Sequence, residues 1–305
     1  MTAISAPPFD YFNADNNGHD WANAYLLMLA NYYNAFDRLD LLDYPKSKRQ
    51  EEFERRYKDK FKLWGMNAFD FIVRSRRFQY DTEAVAMSNE EIVVVSFRGS
   101  EGVDPISLAR DWLFTNFNAS FQNISELGAG VKAHAGFWRA FRAVTQPEGD
   151  VEGIEVCLDR QGAFSGKKLW LTGHSLGGVV ANMGAIWLRS KGYDVQGIYT
   201  YGAPRGGDDV FRDRHQNPFQ INCQRWVNRN DLIPMVPKGG VLGLFGERYH
   251  HVGVTNNIKE DGRIEFNDQE YRGVGNPCNH NMTFYAQGIY ANLPPNLKAV
   301  LPTVS

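Results

Sequence analysis

The run Gly173-His174-Ser175-Leu176-Gly177 sets a serine between two glycines. That spacing suits a nucleophile held on a sharp turn, because glycine on either side lets two chain segments meet while the serine hydroxyl stays presented. What flanks the run supports such a turn. The apolar stretch Lys168-Leu169-Trp170-Leu171-Thr172 reads as a buried strand, and the small and apolar residues from Val179 to Leu188 read as a packed helix. A serine at a helix N-terminus sits where unpaired backbone N–H groups and the helix dipole favour negative charge, so an oxyanion can be held there, with the N–H of Leu176 as first donor. The chemistry this suggests is acyl transfer. It requires a base to take the serine proton and a carboxylate to orient that base.

In a chain whose nucleophile sits on this kind of turn, acid and base follow the serine in that order. The downstream histidines are His215, His250, His251 and His280. His215 lies in the polar run Arg212-Asp213-Arg214-His215-Gln216-Asn217, ahead of every acidic residue at an expected strand end, and reads as surface. Asp231 follows the strand-like Gln224-Arg225-Trp226-Val227-Asn228 and precedes a turn ending in Pro234, a fitting place for the orienting carboxylate, although turn and cap aspartates look the same locally. Asp208 is the runner-up and is expected to bond the turn after Pro204. The residues alone leave the base open between His251 and His280.

The positioning elements follow from the periodicity. Residues 20–34 read as a helix capped by Asp20, and residues 48–64 as an amphipathic helix with Phe53, Tyr57, Phe61 and Trp64 on one face. Strands are expected at 69–73, 78–87, 92–97, 168–172, 197–201 and 224–228, and helices at 136–144, 179–188 and 280–293. Strands alternating with helices imply a mostly parallel sheet covered on both faces, with reactive groups at the carboxyl ends of the strands.

No repeat, low-complexity tract or linker divides the 305 residues, so one domain spanning 1–305 is expected, with an N-terminal helical segment at about 18–64. With 43% hydrophobic and 13% aromatic residues there is material for a large core, and a formal charge of −2 offers no footprint for nucleic acid. The uncharged stretch 21–36 is too short and too rich in asparagine to span a membrane. The first seventeen residues carry Asp10 and Asp15 but no lysine or arginine, unlike a secretory signal; a cytoplasmic location is the default, with export by another route open. Cys157, Cys223 and Cys278 are odd in number and widely spaced, and read as buried reduced thiols rather than metal ligands. No metal or organic cofactor is implied.

Several blocks in order resemble the class 3 lipases of filamentous-fungal type, which have the α/β-hydrolase fold. Phe97-Arg98-Gly99-Ser100 is similar to the family's oxyanion block and Asp111-Trp112 to the residues after its lid. Lys132-Ala133-His134-Ala135-Gly136-Phe137 resembles the block before the nucleophile, and Tyr201-Gly202-Ala203-Pro204-Arg205-Gly206-Gly207-Asp208 the block after it. Val227-Asn228-Arg229-Asn230-Asp231 resembles the block carrying the acid. The resemblance implies a triad of Ser175, Asp231 and His280, the last in a block whose aromatic is displaced here, with His251 as the alternative base. It also implies an oxyanion hole of Ser100 and Leu176, and a lid over residues 101–111 between the oxyanion strand and the next helix.

Ile106 and Leu108 are then candidates for the apolar lid face, with Trp112 just beyond, and Leu242, Leu244 and Phe245 for the wall of an acyl pocket. Each has an ordinary alternative, a surface helix for the first group and a loop tucked into the core for the second. The activity implied is hydrolysis of carboxylic esters, most of all acylglycerols at a lipid–water interface. A feruloyl-type esterase, a phospholipase A1, a thioesterase or peptidase using the same triad, and a non-catalytic lipase-like binding protein are the competing readings.

Overall fold

The computed structural model describes residues 6–76, 80–99, 121–147, 152–237, 249–267 and 274–304. In chain order come helices α1 (Trp21–Leu39) and α2 (Lys46–Leu63), strands β1 (Ala68–Arg76), β2 (Tyr80–Ser88) and β3 (Ile92–Phe97), then the short β4 (Phe121–Asn123) and β5 (Lys132–His134). They are followed by α3 (Ala135–Thr145), α4 (Ile154–Arg160), β6 (Lys168–His174), α5 (Leu176–Ser190), β7 (Val195–Tyr201), α6 (Asp209–Arg214), β8 (Asn222–Asn228), β9 (Val254–Ile258), β10 (Ile264–Phe266) and α7 (Met282–Asn292).

Eight strands form one sheet in the order β1-β2-β3-β6-β7-β8-β9-β10. The centre is parallel from β3 through β9, and antiparallel strands finish both edges. This is an α/β-hydrolase fold, and the run 92–97, expected as a buried central strand, is one: all six residues of β3 are buried.

Alternation along the strands divides the core into two layers. Val93, Val95, Phe97, Leu169 and Leu171 face α3, α4 and α5, whereas Ile92, Val94, Trp170, Tyr199 and Trp226 face α1, α2 and α7. Helix α1 begins as expected, with the Asp20 carboxylate accepting the N–H of Asn23. It runs on to Leu39, buried under α2 and α7. Among the described residues no helix is long and apolar enough to cross a membrane.

Three expectations need correction. His215 is 1% exposed rather than on the surface, because α6 turns it inward, where its ring nitrogens lie 3.0 Å from the carbonyls of Phe211 and Asn182. Cys278 is exposed, although Cys157 and Cys223 are buried. His280 does not head a long helix: it ends a short 3-10 turn (Pro277–His280), and Asn281 caps α7 by accepting the N–H of Thr283 at 2.8 Å.

Burial keeps several histidines from protonating. His19, His134 and His215 are each pushed down to about 4, and His174 and His251 lie well below an ordinary imidazole, desolvation being the main cause throughout. Below about 6.5 the unfolded chain binds protons that the folded chain refuses, so stability must fall as pH falls. Urea denaturation between pH 7.5 and 4 should show midpoints declining most steeply below pH 6.5, with the decline easing near 4. A flat profile would mean that these rings take up protons as readily in the fold as in the unfolded chain.

Candidate active site

The strand–turn–helix around Ser175 is as tight as its glycines require. Ser175 adopts φ 56° and ψ −128°, a conformation costly for a residue with a side chain, and its N–H donates to the Tyr201 carbonyl at 2.9 Å. A Cβ on Gly173 would lie 2.2 Å from the Gly177 carbonyl, and one on Gly177 would lie 2.1 Å from the Phe97 carbonyl oxygen. No side chain fits at either place. Strand β6, helix α5 and the end of β3 therefore meet at backbone distance, with the N–H of Leu176 in the open first turn of α5.

Asp231 and His280 come together in a different layer of the same site. His280 Nδ1 lies 2.8 Å from Asp231 Oδ2, with the carboxylate 0% and the imidazole 4% exposed. The other Asp231 oxygen accepts the N–H of Ile233 at 2.9 Å, and the Tyr285 hydroxyl donates to Oδ2 at 2.6 Å. Burial and the nearby Asp231 charge both drive Tyr285 well above an ordinary phenol, so it stays a donor. Gly202, at φ 61°, lies under this pair: a Cβ there would be 2.9 Å from His280 Cε1 and 3.0 Å from Asp231 Oδ2.

His174 joins the pair to the serine. Its Nε2 donates to the His280 carbonyl at 2.9 Å and its ring lies 4.4 Å from that of His280. Desolvation first, and the neighbouring His280 second, keep His174 well below an ordinary imidazole. A neutral ring there places no positive charge against His280 when that residue accepts a proton. The loops are also stapled to each other: Asn228 Nδ2 donates to the Asn279 carbonyl at 2.9 Å, and the Asn276 N–H to the Asn230 carbonyl at 2.7 Å.

The Ser175 Oγ and His280 Nε2 atoms are buried and have no hydrogen-bond partner among the described residues. They are the two atoms between which a proton would move, and His280 has its other nitrogen committed to a carboxylate. Such an arrangement can deprotonate an attacking hydroxyl and then return the proton to a leaving group.

The runner-up residues do other work. Asp208 accepts the N–H groups of Phe211 and Lys132 at 2.7 and 3.1 Å, capping α6 and tying β5 beside it. His251 Nε2 donates to the Pro234 carbonyl at 2.8 Å, steadying the turn after Asp231. Arg205 donates from Nη1 to the Met235 and Pro237 carbonyls at 2.7 and 2.8 Å, holding the same turn.

Ser100, the segment 101–111 with Ile106 and Leu108, Trp112, and Leu242, Leu244 and Phe245 lie outside the described residues. The approach to Ser100 is described: Arg98 pairs with Glu83 in the core, and a Cβ on Gly99 would lie 3.4 Å from Ser175 Cβ. Tyr285, His174 and Gly202 were given no role from sequence. Tyr285 lies five residues beyond His280, in the stretch Cys278–Tyr285 whose aromatic is displaced, and that displacement is the sequence signal that could have found it. A cavity of about 520 Å³ opens at the starts of β8 and β9, lined by His19, Asn222, Gln224, Asn256 and Phe266. It is at the other end of the strands from Ser175 and does not belong to this site.

The elbow serine, with acid and histidine following it in that order on a largely parallel sheet, defines an α/β-hydrolase. Residues 94–240 match the family model for lipase (class 3). The chain is 30% identical over 206 residues to a lipase of Rhizomucor miehei, covering 65% of this chain and 52% of that protein. It is 38% identical over 152 residues to a secreted mono- and diacylglycerol lipase of Fusarium solani, covering 48% and 39%. It thus spans about half or less of these curated relatives. The lipase of Rhizopus microsporus var. chinensis superposes with a TM-score of 0.55 at 24% identity, over 81% of this chain and 78% of that one. Over residues 94–240 the chain is thus similar to the class 3 lipases.

Two substitutions separate orientation from structure. Asp231→Asn should leave the protein folded and lower turnover of a soluble ester by about 10⁴-fold, since the wrong imidazole tautomer is then favoured. Tyr285→Phe removes one of three hydrogen bonds to the same carboxylate and should cost about tenfold in kcat. Equal losses from both would place Tyr285 in the chemistry itself, and no loss from Asp231→Asn would move the acid elsewhere.

Proposed function

We propose that this protein hydrolyses carboxylic esters through an acyl-serine intermediate, with acylglycerols as its substrates. The buried Asp231–His280 pair, with His280 Nε2 and the Ser175 hydroxyl both buried and without a hydrogen-bond partner among the described residues, is the observation that carries the reading. His280 Nε2 takes the Ser175 proton as Oγ bonds the ester carbonyl carbon, and the carbonyl electron pair moves to oxygen against the N–H groups of Leu176 and Ser100. Collapse breaks the ester C–O bond, and the departing alkoxide takes the proton from His280. Water then repeats the sequence on the acyl-serine and releases the acid. Asp231 remains ionised and holds the Nδ1 proton throughout.

The substrate class rests on the family and on relatives that act on mono- and diacylglycerols. Ser175 and His280 are each 4% exposed, so the reacting atoms are shielded from water. A lipid surface is the natural source of substrate, because acylglycerols with long acyl chains collect there rather than dissolve. We therefore place the working site at a lipid–water interface.

Titrated fatty-acid release from emulsified tributyrin and triolein, on either side of tributyrin solubility, tests the reading. Release should jump once droplets form and vanish in Ser175→Ala. Short acids released without a jump would mean a soluble esterase; no release from any ester would leave a binding protein.

A further inference from the structure

On the sheet face that packs against α1, a buried row of polar side chains crosses the three central strands β3, β6 and β7. Ser96 of β3 pairs in register with Thr172 of β6, and Thr172 with Tyr199 of β7, so these residues lie side by side across three central strands. Asn31, projecting from α1, meets that row. Its Nδ2 donates to Thr172 Oγ1 at 2.7 Å and to the Leu27 carbonyl at 2.8 Å, and its Oδ1 accepts from Ser96 Oγ at 3.0 Å. Thr172 Oγ1 passes its own proton to the Tyr199 carbonyl at 2.8 Å. Asn31 is 3% exposed, and Ser96 and Thr172 are 0% exposed.

Each strand in this row runs directly into the site. Four residues beyond Ser96 is Ser100, three beyond Thr172 is Ser175, and three beyond Tyr199 is Gly202, on which the His280–Asp231 pair rests. Backbone pairing sets the register of parallel strands in whole residues. It leaves their relative height and tilt soft on the scale of about 0.5 Å at which a reacting constellation must be held. A side chain bonded to two strands at once, with the second strand bonded onward to a third, stiffens that remaining freedom. Burying an amide and two hydroxyls in an apolar layer has a desolvation cost that a purely structural contact of aliphatic side chains avoids.

We infer that Asn31 is a positioning residue: with Ser96 and Thr172 it sets the relative height of the strands that deliver the nucleophile, the oxyanion donors and the Gly202 backbone on which the base rests. It touches no substrate and acts through the ends of β3, β6 and β7. The inference rests on the ester-hydrolase reading of Ser175.

The test replaces Asn31, Ser96 and Thr172 together so that none of their mutual bonds leaves a polar atom orphaned; Asn34 Nδ2, which also donates to Ser96 Oγ at 3.4 Å, keeps the Ser96 carbonyl at 3.3 Å. The triple variant Asn31→Leu, Ser96→Ala, Thr172→Val is expected to unfold cooperatively, at a midpoint near that of the wild type. Its kcat on tributyrin should fall at least about tenfold, with KM within about twofold, since misplacement by about an ångström is enough for a loss of that order. Inactivation of Ser175 by an alkyl phosphonate ester should slow in parallel. Thr172→Ser, which keeps the hydroxyl, should stay within about twofold of wild type, whereas Thr172→Val alone should lose several-fold in kcat; this pair decides the matter if the triple variant does not fold. Wild-type kcat and phosphonylation rate in a folded triple variant, or equal kcat in the Ser and Val variants, would overturn the inference and leave the row a stability feature. A wild-type protein that neither hydrolyses tributyrin nor reacts with the phosphonate overturns the reading of the site itself, and is told apart by that result.

Discussion

Everything at the site depends on backbone meeting backbone at the nucleophile turn. The Gly173 and Gly177 positions lie so close that a Cβ on either would reach within 2.2 Å of a carbonyl group, and this contact brings the ends of β3 and β6 and the start of α5 into one spot. The strain at Ser175, with φ 56°, is the local cost of that approach. Burial of α5 along almost its whole length offsets it, since every residue from Gly177 to Leu188 is buried. A surface helix could not hold such a turn.

A second constraint is electrostatic. A carboxylate with no exposure is stable as an anion only when its lone pairs are used, and Asp231 receives Ile233 N–H, Tyr285 O–H and His280 Nδ1–H. Those donors come from the turn after β8, from α7 and from the turn before α7. Satisfying one buried charge therefore also ties the turn after β8 to the contiguous turn and helix at 277–292, and the same bonds that make the anion tolerable fix the plane of the imidazole. The tyrosine has a further effect: as a neutral donor it stabilises the anion without competing for the proton that His280 handles.

Sequence and structure agree best where one local run carries both the chemistry and the backbone demand. Ser175 was legible because glycine spacing, a preceding apolar strand and a following helix are contiguous. Asp231 and His280 are 49 positions apart, so the order of acid and histidine suggested them and the resemblance chose between His280 and His251. Strands β9 and β10 were not expected, and the reason is visible: Thr255, Asn256 and Asn257 are polar yet buried, and Asn256 Nδ2 donates to Gln224 Oε1 of the neighbouring strand at 2.9 Å. Hydrophobic periodicity cannot register a strand whose burial is compensated by side-chain amides. His215 misled for the complementary reason. Its neighbours are charged, but α6 is so short that its one inward face is His215 and Phe211, and the ring finds carbonyls rather than water.

The histidines of this fold differ by what their nitrogens meet, and that difference assigns the base more firmly than position in the chain does. His174 and His251 each give Nε2–H to a carbonyl, an acceptor that cannot follow a proton, and burial keeps both rings neutral. His280 instead gives Nδ1–H to a carboxylate, whose charge grows in value when the ring becomes an imidazolium. A ring held this way can accept a proton on its opposite nitrogen without losing its partner, whereas His251, pressed by the charges of Arg225 and Arg205, would be further opposed on protonation. Of the two candidate bases, His280 is the one whose described partner is a carboxylate, the acceptor that most favours an imidazolium, and this makes it the stronger candidate.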